Sequence, residues 1–216
     1  MKSRVRSAQS LARRKPARKS RDRVLIVCEG EKTEPLYLED LIYSIGLTSA
    51  DVKICGAECG SDPKSIYLYA METFRKDGDY DVVFCVFDRD KHTTFDWACR
   101  RIKETVLPDS KKMTCIKSIP CFEYWIIIHF SDTSAPIIAT GGQSSGQKAV
   151  SEVKKYLPWY GKGAPGVYAA TKEKLPKALT RSRLISNEAL KSGSENPMTL
   201  LHELIEHLFE MVKTEV

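Results

Sequence analysis

No stretch of the 216 residues approaches the roughly 18 to 20 consecutive apolar positions that a membrane span needs, and no apolar segment follows the basic N-terminus. Neither a transmembrane helix nor a secretory signal is expected, so the chain reads as cytoplasmic with no membrane partner. No CxxC pair is present. The seven cysteines are odd in number and sit mostly inside apolar runs, as core thiols do; Cys55 and Cys59 come nearest to a zinc knuckle but have no second pair to complete it. The body also lacks an excess of positive charge. Residues 1–23 hold ten Lys or Arg against Asp22 alone, which leaves 24 basic and 27 acidic residues in the rest of a chain whose net charge is +6. An RNP-type aromatic pair for reading bases is missing too.

What is present fits one compact domain with appendages. Residues 1–22 read as a basic flexible arm, either simply solvated or able to hold phosphates through counterion release. Residues 23–130 read as an α/β core, 131–146 as a Ser/Gly-rich surface loop, and 147–216 as C-terminal helices packed on that core. Val24 to Cys28 is a continuous apolar run, the pattern of a strand buried on both faces. Thr33 is placed to cap a helix with Leu38, Leu41, Ile42 and Ile45 at helical spacing. Val52 to Ala57 reads as a strand, Ser61-Asp62-Pro63 as the start of a helix, and Asp81 to Asp88 as a third strand. A helix over Phe95 to Leu107, carrying Trp97, Ile102 and Val106, and a strand over Met113 to Ser118 follow. Four strands with crossover helices make an open, mostly parallel sheet. Cys121 to Phe130 is ambiguous by period, but its length favours a helix buried nearly all round. Helices are expected at 147–157, 172–191 and 198–213.

In open parallel sheets the working groups gather beyond the carboxyl ends of the strands. Glu29 follows the first strand, while Asp88 and Asp90 end the third. If those strands are neighbours, three carboxylates face one pocket. Like charges so placed raise one another's pKa, an arrangement that makes sense chiefly around a divalent cation, and oxygen-only donors point to Mg2+ or Mn2+.

The combination resembles the RloB family, proteins with a TOPRIM-like fold found in bacterial defence loci. The resemblance rests on Val27-Cys28-Glu29-Gly30-Glu31-Lys32-Thr33-Glu34-Pro35 with Tyr37, on Val86-Phe87-Asp88-Arg89-Asp90, on Pro120-Cys121-Phe122-Glu123-Tyr124-Trp125 with His129-Phe130, and on Asn196-Pro197-Met198-Thr199. One departure is Ile119, where the family pattern has asparagine. The resemblance implies a TOPRIM nuclease core with Glu29 as general acid or base, Asp88 and Asp90 as metal ligands, and Glu123 as a further acidic position that is catalytic or binds metal; set among Phe122, Tyr124 and Trp125, Glu123 reads equally as half of a buried structural pair. It also implies an ABC-type ATPase partner and a role in anti-phage defence.

Lys32, Arg89 and His92 lie beside these acids and are candidates for holding the substrate phosphate, with an ordinary salt bridge as the alternative for the two cations. His129, His202 and His207 read as structural, and Lys172 as an exposed helical lysine. Gly141 to Ala149 nearly spells a phosphate-binding loop, but Gln147 displaces Lys148 and Ala149 lacks the hydroxyl, so the chain is not expected to hydrolyse ATP. Three functions remain open at this point: a metal-dependent nuclease acting on DNA or RNA, tRNA included; a small-molecule phosphatase; and an inactive TOPRIM-like module that recruits the ATPase. The phosphatase reading is weakened because an Asp-x-Asp pair of that type belongs on the first strand. A homo-oligomer is left open.

Overall fold

The structure, a computed structural model, describes residues 21–89 and 92–213; the N-terminal arm up to residue 20 and Asp90 lie outside them. Strand β1 (Val24–Cys28) is buried at every position, as an apolar run with cover on both faces must be. It pairs in parallel with β2 (Val52–Cys55) on one side and with β3 (Val82–Asp88) on the other. Strand β4 (Lys112–Ile119) pairs in parallel with β3, and β5 (Met198–Thr199) runs antiparallel at the edge beyond β4. The order β2-β1-β3-β4-β5 is the open, mostly parallel α/β sheet expected, with one strand more than the sequence suggests. Two residues are too few for periodicity to reveal, so Met198 and Thr199 read as the start of the last helix.

Three crossover helices connect the parallel strands: α1 (Thr33–Ser44), α2 (Pro63–Asp77) and α3 (Phe95–Glu104). Helix α2 starts as the sequence predicts. The Asp62 side chain accepts from the Lys64 N–H at 3.1 Å and Pro63 occupies the first turn, where a missing N–H costs nothing. Thr33, however, does not cap α1. Lys32 stands at the cap position, and the Thr33 hydroxyl accepts from the Gly163 N–H at 3.0 Å instead. Helix α3 stops short of Leu107, leaving Val106 93% exposed, and Trp97 is 40% exposed with its ring edge-on to Tyr67. Neither faces the core as their spacing implies.

Helix α4 (Glu123–Phe130) is buried from Glu123 through His129, as an apolar helix with no polar face must be. The remaining helices are α5 (Ser145–Tyr156), α6 (Val167–Thr171), α7 (Leu175–Ser192) and α8 (Leu201–Lys213). The helix expected over 172–191 is present as α7 behind a 3-10 turn at Lys172–Lys174, and the short α6 before it was not expected. The stretch that mimics a phosphate loop has a local task. Ser144 caps α5 in a capping box, accepting from the Gln147 N–H at 3.2 Å while its own N–H donates to Gln147 Oε1 at 2.8 Å.

Helices α2 and α3 pack on each other and on β1, β3 and β4. Right-handed crossovers put α1 on the opposite face, where Tyr37 joins it to the α4 region with its ring edge-on to Phe122 and Trp125 at 5.6 and 6.4 Å. Helices α5 and α7 pack on α4, and α8 packs on β4. No helix among the described residues is long and apolar enough to cross a membrane. After β1 the chain crosses to β2 on one side and then returns past β1 to β3 on the other. The connections diverge between β1 and β3, and a crevice opens beyond their carboxyl ends.

His129 shows how firmly this packing holds. Its Nδ1–H donates to the Trp125 carbonyl at 2.8 Å, which fixes the tautomer and leaves Nε2 to face the Tyr37 hydroxyl at 3.4 Å. Burial, which disfavours the imidazolium, pushes its pKa down from 6.5 to about 4. The unfolded chain takes up this proton below pH 6.5 and the folded chain only near 4, so this stability is complete above 6.5 and is lost as pH falls toward 4. Between pH 7.5 and 5, wild type is expected to lose about 2 kcal/mol more than His129→Gln, at about 1.4 kcal/mol per pH unit. Denaturant titrations at the two pH values measure the difference.

Candidate active site

Glu29 leaves β1 with its backbone still in the sheet, its N–H donating to the Val86 carbonyl at 2.8 Å. The Asp88 N–H in turn donates to Glu29 Oε2 at 3.0 Å, so the ends of two adjacent strands are tied through a carboxylate side chain. Gly30, at φ +82°, turns the chain away at once into the left-handed region that a side chain resists. Gly56, just after β2, is needed for a different reason: a Cβ there meets the Gly30 carbonyl at 2.7 Å. The other Glu29 oxygen, Oε1, lies 2.8 Å from His92 Nε2.

Two further carboxylates enter from helix N-termini. Glu34 is in the first turn of α1 and Glu123 is the first residue of α4, both buried. With Glu29 and Asp88 they line a cavity of about 390 Å³ whose wall also includes Lys32, Ser61, Lys162 and Gly163. Glu123 Oε1 accepts from the Tyr160 hydroxyl at 3.0 Å and lies 3.9 Å from Lys162 Nζ. Its Oε2 is buried with no hydrogen-bond partner among the described residues.

Burial is the largest cause that raises Asp88 well above the ordinary carboxylate range, followed by the charges of Glu34, Glu123 and Glu29; the Phe122 backbone pulls the other way. Glu34 is pushed up to about 8, again mainly by burial, with Glu123 and Glu29 adding to it. The Lys162 ammonium is raised despite the opposing effect of burial, because Glu123, Cys121, Asp88 and Glu34 favour its charged form. Lysine charge only partly balances this acidic cavity. The donors are all oxygen, the type that suits a hard divalent cation, and the unpartnered Glu123 Oε2 is one that could serve as a ligand. Among the described residues no group of three or more His, Cys, Asp or Glu side chains is placed to hold a metal ion as they stand, so ion binding would require these side chains to close on it.

Of the residues singled out in the sequence, the structure brings together Glu29, Asp88, Glu123, Lys32 and His92; Asp90 is outside the described residues. Arg89 stands apart. Its guanidinium pairs with Glu195 at 3.5 Å and Asp96 at 3.9 Å and lies over the Phe95 ring, and it is not among the cavity-lining residues. Glu34, Tyr160 and Lys162 were not anticipated. Glu34 had a legible signal, since positions 34, 38, 41 and 42 share one helical face and an acid among those leucines is out of place there. Lys162 had none, because nothing local tells where its loop folds back. A second cavity of about 400 Å³ opens at the opposite ends of the strands, lined by residues including Asp22, Asp81, Lys111, Lys112 and His207. Acids and bases pair there, with Asp22 3.7 Å from His207, and it lies away from the carboxyl ends of β1 and β3 where Glu29, Asp88 and Glu123 converge.

Unfolded Glu34 ionises near 4.5 and folded Glu34 near 8, so between those values the folded state keeps a proton that the unfolded state has released. Stability from this group is therefore present below 4.5 and lost as pH rises through 8. Glu34→Gln, measured with EDTA, is expected to raise the melting temperature at pH 8.5 and to change it far less at pH 5. An equal shift at both values contradicts the electrostatic account.

Comparison with known proteins agrees with this architecture. The RloB-like protein family model matches residues 24–208, from the first residue of β1 into α8. No curated protein and no solved structure matches the chain. The matched span takes in all five strands and every described residue of the carboxylate cavity, and the chain belongs to the RloB-like protein family.

Proposed function

We propose that the chain is a Mg2+-dependent (or Mn2+-dependent) TOPRIM-type nuclease that cleaves phosphodiester bonds in DNA or RNA, and that it serves as an effector of anti-phage defence beside an ABC-type ATPase. The observation that carries the nuclease reading is the convergence of Glu29, Glu34, Asp88 and Glu123 on one cavity at the β1/β3 ends, with lysines at its wall. The defence role and the partner are supported by the family resemblance alone.

Asp88 and Glu29 would hold the cation, with Glu123 offering its orphaned oxygen and Asp90 retaining the assignment its sequence position suggests. When bound, the cation supplies positive charge to a phosphoryl oxygen and to the leaving alkoxide. Glu29 is fixed by the Asp88 N–H on one oxygen and touches His92 through the other, so it is set to take a proton from an attacking water or return one to the leaving oxygen. Lys32 and Lys162 offer charge to the scissile phosphate. Burial of Glu34 and Glu123 keeps bulk water from screening these contacts.

Glu29→Gln is expected to lower cleavage of labelled RNA and DNA about 10²- to 10⁴-fold, the usual range for losing a general acid or base, while Mg2+ binding persists in weakened form. Asp88→Asn is expected to lose both cleavage and the calorimetric signal of Mg2+ binding. Full activity in either variant, with the melting temperature unchanged, contradicts the reading. Metal binding without cleavage of any nucleic acid favours a recruiting module instead.

A further inference from the structure

A cavity lined by carboxylates repels the phosphates of a polyanion, so whatever holds nucleic acid there must lie beside it. Charge is segregated along the chain. Residues 147–191 hold ten Lys or Arg against three acids, whereas residues 24–146 hold 13 against 19. From that basic segment Lys162 and Gly163 line the cavity, and Tyr156 and Trp159 are exposed aromatic rings.

The last turn of α5 leaves Lys154, Lys155 and Tyr156 exposed. The Tyr156 ring stacks on Phe130 with centroids 5.0 Å apart and planes within 6°, and Lys174 Nζ lies 5.6 Å from the same Phe130 ring. The end of α5 and the turn before α7 therefore form one surface. From Tyr156 the chain runs directly to the cavity. Leu157 is buried, its N–H bonded to the Val153 carbonyl, and the buried Tyr160 reaches Glu123 through its hydroxyl. Lys162 and Gly163 then line the cavity itself, and Gly163 is held by Thr33. Between the two buried anchors Trp159 is 51% exposed.

A half-exposed indole among lysines, on a loop pinned at both sides, suits one kind of ligand. An unpaired base stacks on the ring while ammonium groups take the flanking phosphates; a duplex keeps its base faces hidden from such a ring. We infer that the strip from Lys174 and Tyr156 through Trp159 to Lys162 docks a single-stranded nucleic acid, seating a base on Trp159 and leading the backbone to the carboxylate cavity. Its role in cleavage rests on the nuclease reading above; its binding does not.

The test uses the full chain in EDTA, so that cleavage cannot intervene, with fluorescein-labelled oligo(U) and oligo(dT) of about 15 nucleotides and a duplex of equal length. Trp159→Ala is expected to raise the single-strand Kd about 5- to 150-fold, the worth of one stacked base, and to leave duplex binding unchanged. Trp159→Phe, which keeps a stacking face, is expected to restore most of the affinity. Trp97→Ala, which removes an exposed aromatic ring on α3, is expected to change nothing. Lys155 is paired with Glu152 at 2.5 Å, so the salt test uses Lys154 and Lys174: replacing both by Gln is expected to reduce the slope of log K against log salt by about 1.4, at about 0.7 per phosphate contact. An unchanged Kd in Trp159→Ala, an equal loss in Trp97→Ala, or an equal loss for duplex overturns the inference. Trp159-dependent binding with no cleavage in Mg2+ overturns the nuclease reading alone; cleavage with Trp159-independent binding overturns this inference alone.

Discussion

The parallel pairing of β1 with β3 is the constraint on which the rest depends. Their register places Cys28 opposite Val86, so the chain leaves β1 at Glu29 beside the point where β3 ends at Asp88. Two hydrogen bonds close the junction: Glu29 donates from its backbone to Val86 and accepts on its side chain from the Asp88 N–H. A slip of β1 against β3 by one residue would move every side chain to the opposite face and carry Glu29 away from Asp88. The same pairing that fills the core therefore sets the separation of the two carboxylates.

Such a junction is costly to the fold. Burial and mutual repulsion hold Asp88 and Glu34 far above their ordinary ionisation range, and Glu123 keeps one oxygen without a partner among the described residues. A site of this kind persists only where the surrounding structure over-determines it. Here that support comes from α4, buried at every position from Glu123 to His129, and from Tyr37, which joins α1 to α4 by edge-on ring contacts. The Trp125 carbonyl and the Tyr37 hydroxyl fix His129 in one tautomer behind the cavity. The loop carrying Tyr160 and Lys162 completes the wall from the far side. In the proposed function a divalent ion relieves this repulsion.

Much of this was legible in the sequence, and the exceptions have physical causes. Continuous apolar runs revealed β1 and β3, because a strand covered on both faces has no polar alternation to hide behind. Asp62 before Pro63 marked the start of α2, and ten apolar residues with no period marked a helix buried on every side. Glu29 and Asp88 followed from the rule that strand ends face a common crevice. Long-range partners were not legible. Thr33 looked like a cap until Gly163, 130 residues away, claimed its hydroxyl. Arg89 looked like a phosphate ligand, but Glu195 and Asp96 engage it outside the cavity. The two residues of β5 were too short to show a period, and Trp97 obeyed a helical spacing whose face the fold leaves partly in solvent. Lys162 enters the site through tertiary placement alone.

The proposed function requires the carboxylates gathered between β1 and β3 to bind one or more divalent cations. Crystals grown in Mn2+ test it most directly, since anomalous scattering locates the ion without reference to activity. A strong anomalous peak bounded by Asp88, Glu29 and Glu123, and lost in Asp88→Asn, is the result expected. A cavity with no such peak at saturating Mn2+, or an ion bound elsewhere while the four carboxylates remain protonated or paired with lysine, contradicts the account.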